Sequence, residues 1–225
     1  IVGTNDGNVQ MGFNLGQGAA NSATWVNVTD SNTVLPNRPI LDVAIDPVNP
    51  LIGYAAVGGF DQNTPGTPGH VYQVTCTADC GSFTWADKSG NLPNVPVDSI
   101  IANPNYPQQV FAGTDWGLYY TNDITAGSPE WYRFQAGLPN VMIWDMTIDA
   151  GATTLAVWTR SRGAYVWPLP SSPIPTAVTV SELGAASQSF SALPYMLLAV
   201  VALIAGGLLV QRRRSRSTLT IGVSE

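Results

Sequence analysis

What most limits the folds open to this 225-residue chain is an internal period. A Trp, then Leu-Pro-Asn, then an apolar run ending in Asp or Asn recurs three times in the same order. The Trps are Trp25, Trp85 and Trp131, the triplets start at Leu35, Leu92 and Leu138, and the runs end at Asp46, Asn103 and Asp149. Triplet and run-end spacings are both 57 and 46, and Trp spacings are 60 and 46, so the register survives one insertion in the first interval. A Gly opening an alternating apolar strand recurs at Gly7, Gly69, Gly117 and Gly163, with spacings of 62, 48 and 46. A period of this size means one supersecondary unit repeated, each unit burying its apolar face on the next.

The repeats are built of short runs rich in Val, Ile, Tyr, Phe and Trp, bounded by turn residues, which read as strands. In the third repeat the pattern predicts strand A at residues 99–103, B at 109–114, C at 117–121 and D at 130–134. Four antiparallel strands per period in the forties describe a β-propeller blade. Residues 40–88 predict another full blade, residues 1–30 supply only B, C and D, and residues 142–169 only A, B and C. The expected fold class is therefore all-β, about three and a half four-stranded blades over residues 1–169. Such a set leaves sheet edges unpaired, so closure calls for upstream blades or a second chain. Composition agrees: charged residues are 11% of the chain, and 22 Gly and 17 Pro favour turns over long helices.

Residues 190–210 carry no charge and are long enough, at about 1.5 Å per residue, to cross a hydrocarbon layer of roughly 30 Å as one transmembrane helix. QRRRSRS follows at once, which places the basic tail, residues 211–225, in the cytoplasm and the N-terminal domain outside the cell membrane. Residues 170–189, rich in Pro, Ser and Thr, read as a solvated stalk. The order of stalk, helix and arginine cluster resembles the C-terminal sorting tails of bacterial surface proteins. Ile174-Pro175-Thr176 lies well upstream of the helix and lacks the rest of that motif, so a retained anchor is the expectation. The chain opens with IVGTNDG, without an export signal, as a mature or truncated piece of a single-pass protein would. Residues 1–192 hold fourteen carboxylates against five basic residues, which excludes nucleic acid as a partner.

TADCGSFTW, starting at Thr77, is similar to the Asp-box of sialidase-like propellers, Ser/Thr-x-Asp-x-Gly-x-Thr-Trp, with one residue added before the Thr. The third repeat keeps Thr121, Asp123 and Trp131, and the first keeps Ala23-Thr24-Trp25. With VFAGTDWGLYYTND and the following Leu-Pro-Asn, residues 1–169 resemble the Asp-box propellers that include xyloglucanase-type glycoside hydrolases, sortilin-type receptors and photosystem assembly factors. The resemblance implies structural roles on a C-to-D turn: Thr77 and Asp79 bonding the turn, Gly81 at positive φ, Trp85 packing between blades. Cys76 and Cys80 flank this turn. A local disulfide is expected there; a metal centre needs two further soft ligands, for which the sole histidine, His70, does not suffice, and a redox pair needs Cys-x-x-Cys at a helix start. No metal and no cofactor are expected.

In such propellers ligands bind on the face opposite the Asp-boxes, where B-to-C turns meet D-to-A connections. The resemblance puts the loop at 58–69, the turns at 114–117 and 159–163 and the Leu-Pro-Asn segments there. Its conspicuous residues are Asp61, Asp115, Trp116, Arg160 and Arg162. Trp116 suits stacking on a sugar ring, or covering a neighbouring blade. Arg160 and Arg162 suit forking onto a carboxylate ligand, or pairing with nearby acids. Asp42, Ser99 and Asp145 hold equivalent places at the start of strand A. Asp42, Asp145 and Asp115 are the candidate acid and base of a glycoside hydrolase, against a role in bonding turns. No arginine triad with a tyrosine nucleophile can be assigned, which argues against sialidase chemistry. Asn27-Val28-Thr29 fits a glycosylation sequon. The leading expectation is a membrane-anchored, extracytoplasmic binding or scaffold module for carbohydrate or protein. The alternative is a cell-surface glycoside hydrolase with part of its site on missing blades.

Overall fold

The computed structural model describes residues 1–14 and 23–174. The expected transmembrane helix, the basic tail and all but the first residues of the stalk lie outside them. Among the described residues no helix is long and apolar enough to cross a membrane.

The described chain is all-β, four consecutive antiparallel sheets. The first holds β1 (Val2–Gly3), β2 (Val9–Phe13) and β3 (Thr24–Asn27). The second holds β4 (Ile40–Ile45), β5 (Ile52–Val57), β6 (Val71–Cys76) and β7 (Phe83–Asp87). The third holds β8 (Val97–Ala102), β9 (Val110–Thr114), β10 (Gly117–Thr121) and β11 (Tyr132–Arg133), and the fourth β12 (Ile143–Ile148), β13 (Thr154–Thr159) and β14 (Gly163–Pro168). Within every sheet, strands pair in sequence order, and the first strands of the second, third and fourth sheets pack against one another. This is the meander and radial stacking of propeller blades.

Strand pleating explains why the sheets stack. Successive side chains leave opposite faces of a strand, so a strand buried on both sides serves two cores in alternation. In β5, Ala55 and Val57 enter the core shared with the first sheet, while Tyr54 and Ala56 enter the core shared with the third. In β9, Val110 and Ala112 face the second sheet's side and Phe111 the fourth's.

The Trp landmarks tie neighbouring sheets together. Trp85 Nε1 donates to Val28 O (2.5 Å), and Trp131 Nε1 donates to Lys88 O (2.9 Å). In both cases the acceptor lies three residues past the preceding repeat's Trp. Trp85 is 9% exposed and Trp131 3%; Trp25, with no described sheet before its own, is 47% exposed.

Strand D of the third repeat is shorter than the sequence predicts, two residues rather than five. Its backbone is recruited sideways: Trp131 N donates to Asn91 Oδ1 (2.6 Å) and Trp131 O accepts from Asn91 Nδ2 (3.1 Å). Gly90 permits this approach, since a Cβ there would lie 1.8 Å from Pro129 O. The first stalk residues also differ from expectation. Pro170 O accepts from Asn103 Nδ2 (2.7 Å), and Ile174 exchanges two hydrogen bonds with the Asn122 amide, so Pro170 and Ile174 are anchored to the third sheet while residues 171–173 between them are exposed.

Cys76 and Cys80 form the disulfide, packed beside Met11 of the first sheet. The turn they clamp departs from the Asp-box expectation. Gly81 lies at φ −58°, and the positive φ values fall on Asp79 (55°) and Cys80 (51°). The bridge spans one tight turn, so the chain reverses before it reaches Gly81; Asp tolerates the left-handed region better than most residues. The Asp79 carboxylate makes no hydrogen bond with the described residues. Thr77 closes the turn, its Oγ1 accepting from Ser82 N (3.0 Å) and donating to Ser82 O (3.0 Å).

Candidate functional site

One end of the sheets is assembled by a repeated backbone bond. Gly58 N donates to Pro39 O (2.8 Å), Asp115 N to Pro96 O (3.4 Å) and Arg160 N to Met142 O (3.0 Å). Each bond joins the first residue of a B-to-C turn to the residue before strand A, so these turns and the Leu-Pro-Asn segments share an end of their sheets. Asn94 reinforces it across sheets, its Oδ1 accepting from Asp61 N (3.0 Å). Asn140 Oδ1 likewise accepts from Arg133 (2.6 Å), whose guanidinium also donates to Trp116 O (2.5 Å).

At this end every strand A carries a bulge. The register shifts between Ile40 and Asp42, between Val97 and Ser99, and between Ile143 and Asp145. The extra residues are Leu41, Asp98 and Trp144, and together they line a cavity of about 190 Å³. A bulge releases one residue from the ladder and re-aims its side chain. Each stands beside the first residue of its sheet's B-to-C turn. Leu41 packs where a Cβ on Gly58 would fall, Asp98 meets Asp115, and the Arg160 guanidinium lies 5.9 Å from the Trp144 ring centroid. One location thus holds an apolar contact, an acid pair and a cation on an aromatic ring.

Asp98 is the most perturbed group of the site. Asp98 Oδ2 is buried and receives no donor from the protein, and the Asp115 carboxyl acts on it from the B-to-C turn of the same sheet. Burial, then the Asp115 charge and hydrogen bond, push Asp98 up to about 7, with Arg160 pulling the other way.

The residues just past the bulges do different work. Asp42 accepts from Val43 N (2.8 Å) and, across to the next sheet, from Ile100 N (2.8 Å). Burial raises its pKa, those backbone bonds oppose the rise, and Asp145 adds to it. Asp145 accepts from Met146 N (2.7 Å). Asp42 and Asp145, expected as acid and base, both accept from backbone N–H groups next to the bulges. The third candidate, Asp115, stands against Asp98.

Trp116 and Trp144 project from this end, 58% and 60% exposed. Trp116 is therefore not buried against another of the described blades. Arg160 sits over Trp144 without forking onto a carboxylate, and Arg162 is exposed with no hydrogen bond or ion pair to the described residues.

Asp61 belongs to a separate cluster. Its Oδ1 accepts from Gly69 N (2.8 Å) and lies 3.2 Å from His70 Nε2 and 3.8 Å from Arg38 Nη1. Arg38 is buried, donates to Gly69 O, and leaves Nε and Nη1 without hydrogen-bond partners. Burial lowers the pKa of both Arg38 and His70. Sequence reasoning passed over Arg38 and Asp98. A signal existed for Arg38: in the Leu-Pro-Asn frame it stands where the next two repeats place Val95 and Val141.

These features define a propeller-type module with a polar and aromatic face at the bulged end of its blades. No protein-family profile and no curated protein match the chain. Among solved structures it is similar to the β-propeller domain of Swd1 from Myceliophthora thermophila, at 14% identity and a TM-score of 0.47 over 66% of this chain and 46% of that one. It is also similar to a GH74 enzyme of Niastella koreensis, at 17% and 0.46 over 66% and 23%. PorZ, a surface component of the type-IX secretion system of Porphyromonas gingivalis, matches at 17% and 0.44 over 72% and 24%. The chain spans less than half the length of each.

Proposed function

We propose that this chain is a membrane-anchored, extracytoplasmic propeller module that binds a carbohydrate or protein ligand at the bulged end of its blades. The observation that carries the reading is that two large aromatic side chains, Trp116 and Trp144, stand exposed at this end, with Trp144 also lining the cavity of Leu41 and Asp98. Aromatic surface held rigidly at low conformational cost is what recognition sites use. A glycoside hydrolase draws less support, because Asp42 and Asp145 are bonded to backbone. In this proposal the anchor is residues 190–210, and the open blades are completed by upstream repeats or a second chain.

The test is ligand capture by the full chain in membrane vesicles, scored against a panel of β-glucan oligosaccharides and cell-surface proteins. Trp116→Ala and Trp144→Ala should each weaken capture at least tenfold while the unfolding midpoint stays put. A midpoint that falls with capture would make these residues core and sink the reading.

A further inference from the structure

The binding-face proposal leaves open which chemistry the cavity accepts, and the three bulge positions bear on that choice. Asp98 Oδ2 is a buried acceptor without a donor, and its neighbour across the turn is another carboxyl. A proton on Asp98 supplies one donor and cancels one charge. A guanidinium or ammonium group supplies several donors and a full positive charge, and satisfies both carboxylates at once. The third wall, Trp144, already carries a cation: Arg160 lies over its ring at the distance of a cation–π contact. The Arg160 guanidinium also makes a 3.9 Å contact to Met142 Sδ, and its charge acts on Asp98 without an ion pair between them. A cavity of about 190 Å³ admits the end of a basic side chain and is smaller than most sites for whole small ligands. The excess of carboxylates in residues 1–192 attracts such a ligand from a distance.

We propose that the cavity of Leu41, Asp98 and Trp144 takes the guanidinium or ammonium end of a basic side chain presented by a protein partner, which lies on Trp144 and bridges Asp98 and Asp115. Arg160 is then a tethered competitor that leaves the Trp144 ring when the partner arrives. This rests on the binding-face reading and chooses protein over carbohydrate.

The probe is a short Gly-Arg-Gly peptide with blocked ends, titrated against the full chain at pH 7.5 with tryptophan fluorescence as readout, beside the same peptide with neutral citrulline for arginine. The arginine peptide should bind and the citrulline peptide should not. Asp98→Asn should weaken binding about tenfold, as losing one partner of a close charge pair does. Arg160→Ala, a change at an exposed side chain that leaves the fold alone, should tighten it severalfold. Equal binding of the two peptides, or an Arg160→Ala chain that binds no better than native, overturns the proposal. Trp144-dependent binding of a β-glucan oligosaccharide without the arginine peptide would overturn this cation site and leave the binding face standing. Loss of neither ligand on Trp116→Ala and Trp144→Ala would remove both.

Discussion

The second and fourth sheets share one repeat pattern and differ in what stands beside them. In the second, both faces of β5 are closed, one by the first sheet and one by the third. In the fourth, Leu155 and Val157 of β13 enter a core, while Trp158 on the other face is 41% exposed and Val166, on the same face of β14, is exposed too. Equivalent strand faces therefore give core residues or surface residues according to what stands beside the sheet. Burial in a repeat fold belongs to the interface between units, and the end units show what an interface is worth.

The largest expected effect follows from that difference. Trp131→Ala removes a buried indole and its bond to Lys88 O and should cost about 3–5 kcal/mol in urea unfolding, whereas Trp158→Ala should cost under about 1 kcal/mol. Equal losses would break the comparison. Gly90→Ala should cost about 3 kcal/mol, because the added methyl displaces Pro129 backbone and with it the Asn91 bonds to Trp131. Replacing Cys76 and Cys80 together by serine should cost about 2 kcal/mol, since a five-residue loop constrains the unfolded chain little.

A pH effect distinguishes the site from the cores. Asp98 has its folded pKa raised from 3.8 to about 7, so between those values the folded chain holds a proton that the unfolded chain has lost. Its stabilising contribution is complete below about pH 4, is lost as pH rises through 7, and stays lost above. Asp98→Asn should flatten this slope and raise the melting temperature by a few degrees at pH 8, at roughly 2–4 °C per kcal/mol, with no gain near pH 4. The smallest expected effect sharpens the comparison most. Trp25→Ala should change stability by less than about 0.5 kcal/mol in the described arrangement. A cost near that of Trp131→Ala would mean that another blade covers the first sheet and accepts the Trp25 indole N–H.

Much of the fold was legible because repetition is visible as spacing. Strand C of the third repeat falls on the predicted residues 117–121, and strand B begins one residue later than expected. The bulges were hidden, since one extra residue in a strand looks like ordinary sequence between two apolar runs. Strand D was overestimated because Trp131 and its neighbours have strand composition, while their backbone partner is the Asn91 side chain. The acid pair escaped for a different reason. A search for periods finds positions that agree, and Leu41, Asp98 and Trp144 are equivalent positions at which the residues disagree.

That disagreement has a use. The bulged residues stand outside the hydrogen-bond ladder, and two of the three residues after them, Asp42 and Asp145, fasten the bulge through backbone. The frame is therefore fixed by one set of side chains and the cavity lining by another. Each blade offers a socket into which an apolar, acidic or aromatic group fits without rewriting the sheet. Exchanging the occupants of positions 41, 98 and 144 would retune the preference of the cavity like letters changed in a three-letter word, with the scaffold indifferent to what the word says.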